Sequence, residues 1–241
     1  MSQLPPLKIQ LTFKNLLVFL FLFFLMHELH ELAHIITGRI ICGCWGTRDF
    51  NVWDLCNDCL KAKPWAIVAT FAGPIFTFTM LWLGRYWLIH GKSPEYRSLG
   101  LIFILSNMQF GRMYMAATGS GDEAWGLRYL LVNHDHSNVF TIRIATFLIV
   151  SAICLPPLIT AYKSISNRRK ILVYGCFLIL PLVLDTIIIL MLLNGLLEKG
   201  LLNQVYIMGS PILISVWFII CLVIALTNTR HLTQFLKPET H

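Results

Sequence analysis

Two histidines and a glutamate share one helical turn in the run His30-Glu31-Leu32-Ala33-His34. On a helix, His30 and His34 point the same way, and two imidazoles at that spacing can bind one Zn²⁺. Zinc lowers the pKa of a bound water to roughly 7. Glu31 can act as general base on that water and pass the proton to a leaving amine. The spacing therefore predicts a catalytic zinc site with His30 and His34 as metal ligands and Glu31 as the base.

The motif follows an almost wholly apolar run, residues 16–26, so its ionisable side chains lie inside a predicted membrane helix. Such side chains are costly in a membrane, and they are rare and usually functional. His27, His30, Glu31 and His34 fall within an arc of roughly 100° on that helix. This polar face must look into the protein or into a water-filled cavity. The alternative is a set of interhelical hydrogen bonds without a metal.

A catalytic zinc site usually has three protein ligands and one open position. Asp122 is the predicted third ligand because it follows Thr118-Gly119-Ser120-Gly121, where small residues let the backbone turn sharply. Glu123 is its rival. The role of His27 stays open between orienting a ligand, holding the leaving product and lying at the interface. Asp185 could pair with a residue of the later helices or contact substrate.

The composition indicates a membrane protein, because 56% of the 241 residues are hydrophobic, 13% are charged and the mean hydropathy is +0.69. Apolar runs long enough to cross a bilayer recur along the chain. They predict an all-α polytopic membrane protein with about six transmembrane helices in a single domain, residues 1–241. The six predicted segments are 14–38, 64–84, 98–117, 139–162, 170–196 and 205–227.

The net charge of +7 does not indicate nucleic-acid binding, because the basic residues sit in short loops between apolar runs. With the N-terminus in the cytoplasm, eleven Lys and Arg residues lie inside and eight outside, and Arg168-Arg169-Lys170 forms the strongest inside cluster. We therefore expect the N-terminus to be cytoplasmic. The pair Lys8 and Lys14 and the short loops suit a bacterial inner membrane.

Four of the seven cysteines, Cys42, Cys44, Cys56 and Cys59, fall in one loop, residues 39–63, after the motif helix. Their spacing indicates either two disulfides or a structural zinc site. Disulfides are favoured if the N-terminus is cytoplasmic, since the loop then faces the oxidising side. The inverted topology would favour zinc.

The motif and two later segments together resemble the site-2 protease family of intramembrane zinc metalloproteases. Phe71-Ala72-Gly73-Pro74 is similar to the family's Gly-Pro segment beside the active site, and Asn107 to Asp122 resembles its third core helix. The resemblance covers roughly residues 20–130. It implies a three-helix protease core within residues 14–130, with additional transmembrane helices over 139–227. It also implies hydrolysis of a peptide bond in or near a membrane helix of a protein or peptide substrate that enters laterally from the lipid bilayer.

The sequence also allows two other function classes. A di-iron membrane oxidase is suggested by the spacing of His27, His30 and His34, but such sites need several histidine clusters, often with adjacent His-His pairs. The remaining histidines, His90, His134, His136, His231 and His241, contain no such pair. A non-catalytic metal-binding protein or transporter is disfavoured by Glu31, because a pure binding site needs no base. Substrate identity, regulation and oligomeric state are left open.

Overall fold

The protein is described by a computed structural model over residues 7–131 and 139–238. Most of these residues are helical, and the few strands are short. In chain order the elements are β1 (Leu7–Ile9), α1 (Phe13–Cys42), α2 (Cys59–Ala62), a 3₁₀ helix (Pro64–Phe71), α3 (Ala72–His90), α4 (Pro94–Leu105), α5 (Gln109–Thr118), α6 (Asp122–Leu131), α7 (Val139–Ser164), α8 (Lys170–Asp185), a π-helix (Thr186–Leu193), α9 (Asn194–Glu198), β2 (Val205–Ile207), β3 (Ser210–Pro211), α10 (Ile212–Thr227), α11 (Thr229–Thr233) and β4 (Leu236–Pro238).

Four helical stretches among the described residues are long and apolar enough to cross a membrane: Phe13–Cys42, Pro64–His90, Val139–Ser164 and Lys170–Glu198. Helix α10 is also apolar but shorter, with 16 residues. These helices agree with the predicted all-α membrane protein. Four spans meet these criteria, however, where the sequence predicted six.

The third predicted segment, 98–117, is not one continuous helix. Helix α4 ends at Leu105 and α5 begins at Gln109, because Met108 adopts a left-handed conformation with φ 53°. A single α-helix cannot pass through such a residue. The segment is therefore two short helices with a sharp turn between them, and the turn faces the site described below.

The sixth predicted segment, 205–227, begins later than expected. Its first residues form the two-stranded sheet β2–β3, which turns through Met208 (φ 52°) and Gly209 (φ 71°). Consecutive positive φ values close a tight hairpin and exclude a helix. The helical part starts at Ile212.

Helix α1 is the central element and spans about 45 Å at 30 residues. Its first turn is capped by the Thr12 hydroxyl, which accepts from the Asn15 amide, and its last turn ends at Gly43 with φ 82°. It packs against α3, α8 and α10. The ionisable side chains of α1 therefore lie close to several other helices.

Helices α3 and α4 form a tight hairpin around Gly84 and Gly100. A Cβ at Gly84 would lie 2.7 Å from the Gly100 carbonyl oxygen, and the converse approach is 2.6 Å. Small residues allow this backbone contact between membrane helices. The hairpin fixes α3, whose N-terminal end carries Gly73 to helix α1.

The two ends of the helix bundle are distinct. At one end β1 pairs with β4, and the Leu7 carbonyl accepts from the Ser166 amide at 3.0 Å, beside the basic cluster 168–170. At the other end, the cysteine loop contacts the segment after the π-helix, with the Phe50 amide donating to Asn194 at 3.1 Å. The N-terminal strand and the 165–169 loop therefore share one side of the bundle.

This arrangement predicts the sidedness of chemical labelling. In a background with Cys154, Cys176 and Cys221 replaced by Ala, cysteines at exposed positions Lys8 and Arg168 should react with an impermeant maleimide from the same side of sealed vesicles. Lys199 follows the continuous helical stretch from α8 through the π-helix to α9, at its far end. A cysteine at Lys199 should react from the opposite side. Labelling of Lys8→Cys and Lys199→Cys from the same side of the vesicles would contradict the fold.

Candidate metal centre

Three donor atoms from two separate parts of the chain converge beside α1. His30 Nε2 and His34 Nε2 are 3.2 Å apart, and Asp122 Oδ2 lies 3.3 Å from the first and 3.6 Å from the second. Ligands of one tetrahedral zinc are about 3.3 Å apart when each bond is about 2.0–2.1 Å. Two imidazoles and a carboxylate at these separations fit such an ion. The structure thus brings together the three residues predicted as metal ligands.

Both histidines are held so that Nε2 faces the centre. His34 Nδ1 donates to the carbonyl of Ala69 in the 3₁₀ helix at 2.8 Å, and His30 Nδ1 is hydrogen-bonded to the Thr77 hydroxyl of α3 at 2.8 Å. The Ala69 carbonyl can only accept, so it places the His34 proton on Nδ1 and leaves Nε2 free to bind metal, while the Thr77 hydroxyl orients the His30 ring. The 3₁₀ helix and α3 therefore prepare the two imidazoles for a ligand role.

Gly73 leaves space beside the two Nε2 atoms. A Cβ at this position would collide with Nε2 of both His30 and His34. The Gly-Pro segment singled out in the sequence thus lies directly against the candidate centre. The absence of a side chain at Gly73 keeps the coordination space open.

Asp122 is the first residue of α6, immediately after a turn in which Gly119 has φ 77°. Burial by itself would raise the pKa of its carboxyl, but hydrogen bonds with His30 and His34 and the charge of Arg112 hold that pKa well below its usual range. Asp122 is therefore ionised at neutral pH, which is the form that binds a cation.

Arg112 of α5 orients both carboxylates of this turn. Its guanidinium donates to Asp122 Oδ2 at 3.0 and 3.1 Å and to Glu123 Oε1 at 2.8 Å, and it lies 3.2 Å from His30 Nε2. Glu123 thus engages Arg112, whereas Asp122 faces the histidines. The sequence analysis did not single out Arg112. Its place within the predicted membrane segment 98–117 was the signal for a role in the site.

Glu31, the predicted general base, faces the same space as the ligands. It is 6% exposed, and its Oε2 atom has no hydrogen-bond partner within residues 7–131 and 139–238. A cavity of about 780 Å³ opens over Glu31 and His30, and its walls include Trp53, Met108 and Trp125. A carboxylate with a free oxygen beside a cation site and an apolar cavity has the features expected of a general base.

The cysteine loop covers one side of this cavity. Its four cysteines form the disulfides Cys42–Cys59 and Cys44–Cys56, with Cα separations of 5.8 and 5.9 Å. The structure thus favours disulfides over the structural zinc site that the spacing also allowed. Trp53 lies between Cys44 and Cys56 in the sequence, and it stacks on the His34 ring at a centroid distance of 4.6 Å and an interplanar angle of 9°. The loop therefore packs directly on a candidate ligand.

A buried ion pair attaches the loop to α1. Arg48 donates to Glu28 Oε2 at 2.8 Å and to the Ser210 hydroxyl at 2.8 Å, and both members of the ion pair are almost fully enclosed. Glu28 lies to one side of the metal-facing arc of α1. Its partner comes from the cysteine loop, which the spacing of residues along α1 could not indicate.

His27 and Asp185, whose roles the sequence left open, contact each other. His27 Nδ1 lies 2.9 Å from Asp185 Oδ1, and both residues line the cavity. Asp185 thus pairs with the first helix and not with one of the later helices.

The other histidines within the described residues lie away from the centre. His90 is hydrogen-bonded to the Tyr86 carbonyl, and His231 to Asn15. His134, His136 and His241 lie outside the residues that the structure describes. One group of three metal-binding side chains is found in the described part of the chain, and it is His30, His34 and Asp122.

The space at Gly73 gives a direct test of the centre. Gly73→Ala should lower the zinc content of the purified protein at least about tenfold, because the added methyl group displaces both imidazoles. Gly175→Ala is the matched control, since a Cβ there meets no atom within 4 Å. Equal zinc content in wild type and Gly73→Ala, measured by elemental analysis, would exclude this centre.

The Arg48–Glu28 pair predicts a stability effect. Arg48→Met should lower the free energy of unfolding by about 3–5 kcal/mol, because Glu28 is left as a buried charge without its partner. Adding Glu28→Leu should recover most of the loss. Thermal unfolding in detergent measures both effects.

Lys61→Met is the control for that series, since it removes an exposed ion pair with Asp58 and should leave the unfolding temperature almost unchanged. A double variant no more stable than Arg48→Met would contradict the account of the pair as a buried charge and its counter-ion.

Comparison of the chain with family models, with curated proteins and with solved structures finds no match. The resemblance to site-2 proteases is carried by the sequence motifs alone.

Proposed function

We propose that this protein is an intramembrane zinc endopeptidase of the type that the site-2 protease resemblance implies. The observation that carries the proposal is the convergence of His30, His34 and Asp122 at one point, beside a cavity that Glu31 also lines. The proposed substrate is a peptide bond in or near a membrane segment of another protein or peptide.

The donor set favours zinc over other metals. Two imidazoles and one carboxylate in a three-ligand arrangement are typical of hydrolytic zinc sites, whereas all-oxygen sets are typical of Mg²⁺ and Ca²⁺. When bound, zinc supplies a Lewis acid that polarises a carbonyl group and acidifies water. His30, His34 and Asp122 would hold the ion, and Arg112 would keep the Asp122 carboxylate turned towards it.

Glu31 is the proposed general base and acid. Its free Oε2 accepts the proton of the attacking water and later delivers it to the nitrogen of the leaving amine. This role needs a carboxylate that is close to the ion without binding it. The ligand cluster contains His30, His34 and Asp122 and leaves Glu31 outside it, which meets that requirement.

The walls of the cavity support an apolar peptide as substrate. Trp53, Met108, Met115, Trp125 and Leu190 line it together with Gly111, and a volume of about 780 Å³ has room for several residues of an extended chain. Peptide bonds within a continuous helix are protected by their own hydrogen bonds. The substrate therefore has to unwind before its carbonyl reaches the centre.

The proposed orientation has the N-terminal end in the cytoplasm and the disulfide loop on the opposite face. Disulfides persist on the oxidising side of a membrane, and the basic cluster 168–170 belongs on the inside. A bacterial inner membrane, whose outer face is the oxidising periplasm, suits both features.

Separate effects on metal content and turnover are expected for three substitutions. Wild type should hold about one zinc per chain, while His34→Ala and Asp122→Ala should lose it. Glu31→Gln should keep the zinc and lose activity about 10²- to 10⁴-fold, because it removes only the base. Elemental analysis gives the metal content, and cleavage of fluorescein-labelled casein and of a single-span leucine-alanine peptide gives the activity.

Glu198→Gln is the matched control for Glu31→Gln, because Glu198 is exposed at the end of α9. Undiminished cleavage by Glu31→Gln would rule out the proposed mechanism. Bound zinc without cleavage of either probe by wild type would favour a metal-binding protein or transporter, and iron in place of zinc would favour an oxidase.

A further inference from the structure

We propose that His27, held by Asp185, is a positioning residue for the base Glu31, so that one of the later helices completes the active site. The inference rests on the proposed function, since it assigns a partner to the general base of that reaction. It is carried by a continuous line of three buried side chains, Asp185, His27 and Glu31, along the wall of the cavity.

The first contact is between helices that are far apart in sequence. His27 Nδ1 lies 2.9 Å from Asp185 Oδ1, and the two side chains are 7% and 8% exposed. A carboxylate that accepts from one ring nitrogen fixes the plane of the ring. Between two carboxylates, His27 is in the imidazolium form, with a proton on each ring nitrogen. Asp185 therefore decides where His27 Nε2 points.

The second contact is with the base. His27 precedes Glu31 by four residues on α1, so both project from the same face. His27 Nε2 lies 3.9 Å from Glu31 Oε1. Hydrogen bonds of catalytic groups are often long without substrate and shorten when it binds. A hydrogen bond donated by Nε2 of the imidazolium to Oε1 would hold one carboxylate oxygen, and Oε2 would stay free to accept the proton of water.

A purely structural role explains less of this geometry. A hydrogen bond that only joins two helices needs only His27 Nδ1, and Nε2 could then face packed side chains. Here Nε2 faces Glu31, and all three residues line the cavity. None of the three ligand residues contacts His27 at hydrogen-bond distance among the described residues, so His27 does not orient a metal ligand.

The local structure around Asp185 also singles it out. Helix α8 ends at Asp185, and the chain continues as the π-helical segment Thr186–Leu193. Such wider turns are rare, are unfavourable without compensation, and are found frequently at functional sites. Pro181, one turn earlier in the helix, removes a backbone donor from the same stretch. This distortion lies at the residue that contacts His27.

The kinetic test uses the full-length, zinc-loaded protein with casein and the single-span peptide as probes. His27→Gln should lower kcat about 10- to 100-fold, with KM and zinc content unchanged. Asp185→Asn should lower kcat less, because its side-chain carbonyl still accepts from Nδ1. The double variant should be no slower than His27→Gln, since Asp185 acts only through His27.

His90→Gln is the matched control, because His90 is exposed and lies on another helix. Variants with a lowered unfolding temperature and an unchanged kcat would show that the pair only fastens two helices, and this would overturn the proposal. Independent, multiplicative losses for the two single substitutions would also overturn it.

A spectroscopic readout does not depend on turnover. In protein labelled with ¹⁵N-histidine, the His27 signals are identified by their loss in His27→Gln. The signal of its Nε2 proton should shift in Glu31→Gln, and that of Nδ1 should shift in Asp185→Asn. An Nε2 signal identical in wild type and Glu31→Gln would overturn the positioning role. This measurement still decides the point if wild type binds zinc but cleaves neither probe, an outcome that would defeat the proposed function alone.

Discussion

The structure depends on the cost of placing ionisable side chains inside an apolar helix. Helix α1 carries five of them within eight residues, in a stretch that is otherwise apolar. Each charged or polar group at that depth costs a few kcal/mol unless it is paired, about 2.5–3.5 kcal/mol for a charged residue at a membrane centre. Four of the five therefore meet a partner from another element, and the fifth, Glu31, faces the cavity. That requirement determines which parts of the chain are drawn against α1.

The partners come from five different parts of the sequence. They are Asp185 of α8 for His27, Arg48 of the cysteine loop for Glu28, Thr77 of α3 for His30, and Ala69 of the 3₁₀ helix with Asp122 of α6 for His34. Removing any one would leave a buried polar group unsatisfied. The candidate centre is thus inseparable from the packing of the helices, since the same contacts serve both.

The cysteine loop illustrates how fold and site are combined. Two disulfides restrict its conformations, the Arg48–Glu28 pair attaches it to α1, and Trp53 packs on His34. A loop held at three points can cover a cavity without filling it. His30 and His34 are buried beneath this cover, and electrostatic interactions are stronger in buried sites than in bulk water.

Much of the fold class and part of the site could be predicted because they follow from local spacing. The HExxH run places His30 and His34 on one face of α1, and glycine in the turn before Asp122 lets the chain reverse. The structure places Asp122 next to the histidines, whereas Glu123 accepts a hydrogen bond from Arg112. The break at Met108 was missed, since a left-handed residue leaves no signal in hydropathy.

The sequence by itself determined the apolar helices, the metal-binding spacing on α1 and the two possible uses of the four cysteines. Only the tertiary structure decided that Asp185 meets His27, that Arg48 meets Glu28, and that Arg112 lies between the carboxylates. The physical reason is that contacts within a helix are set by its constant 3.6-residue period. Contacts between helices depend on their crossing positions, which are set by packing along the whole chain and have no local pattern.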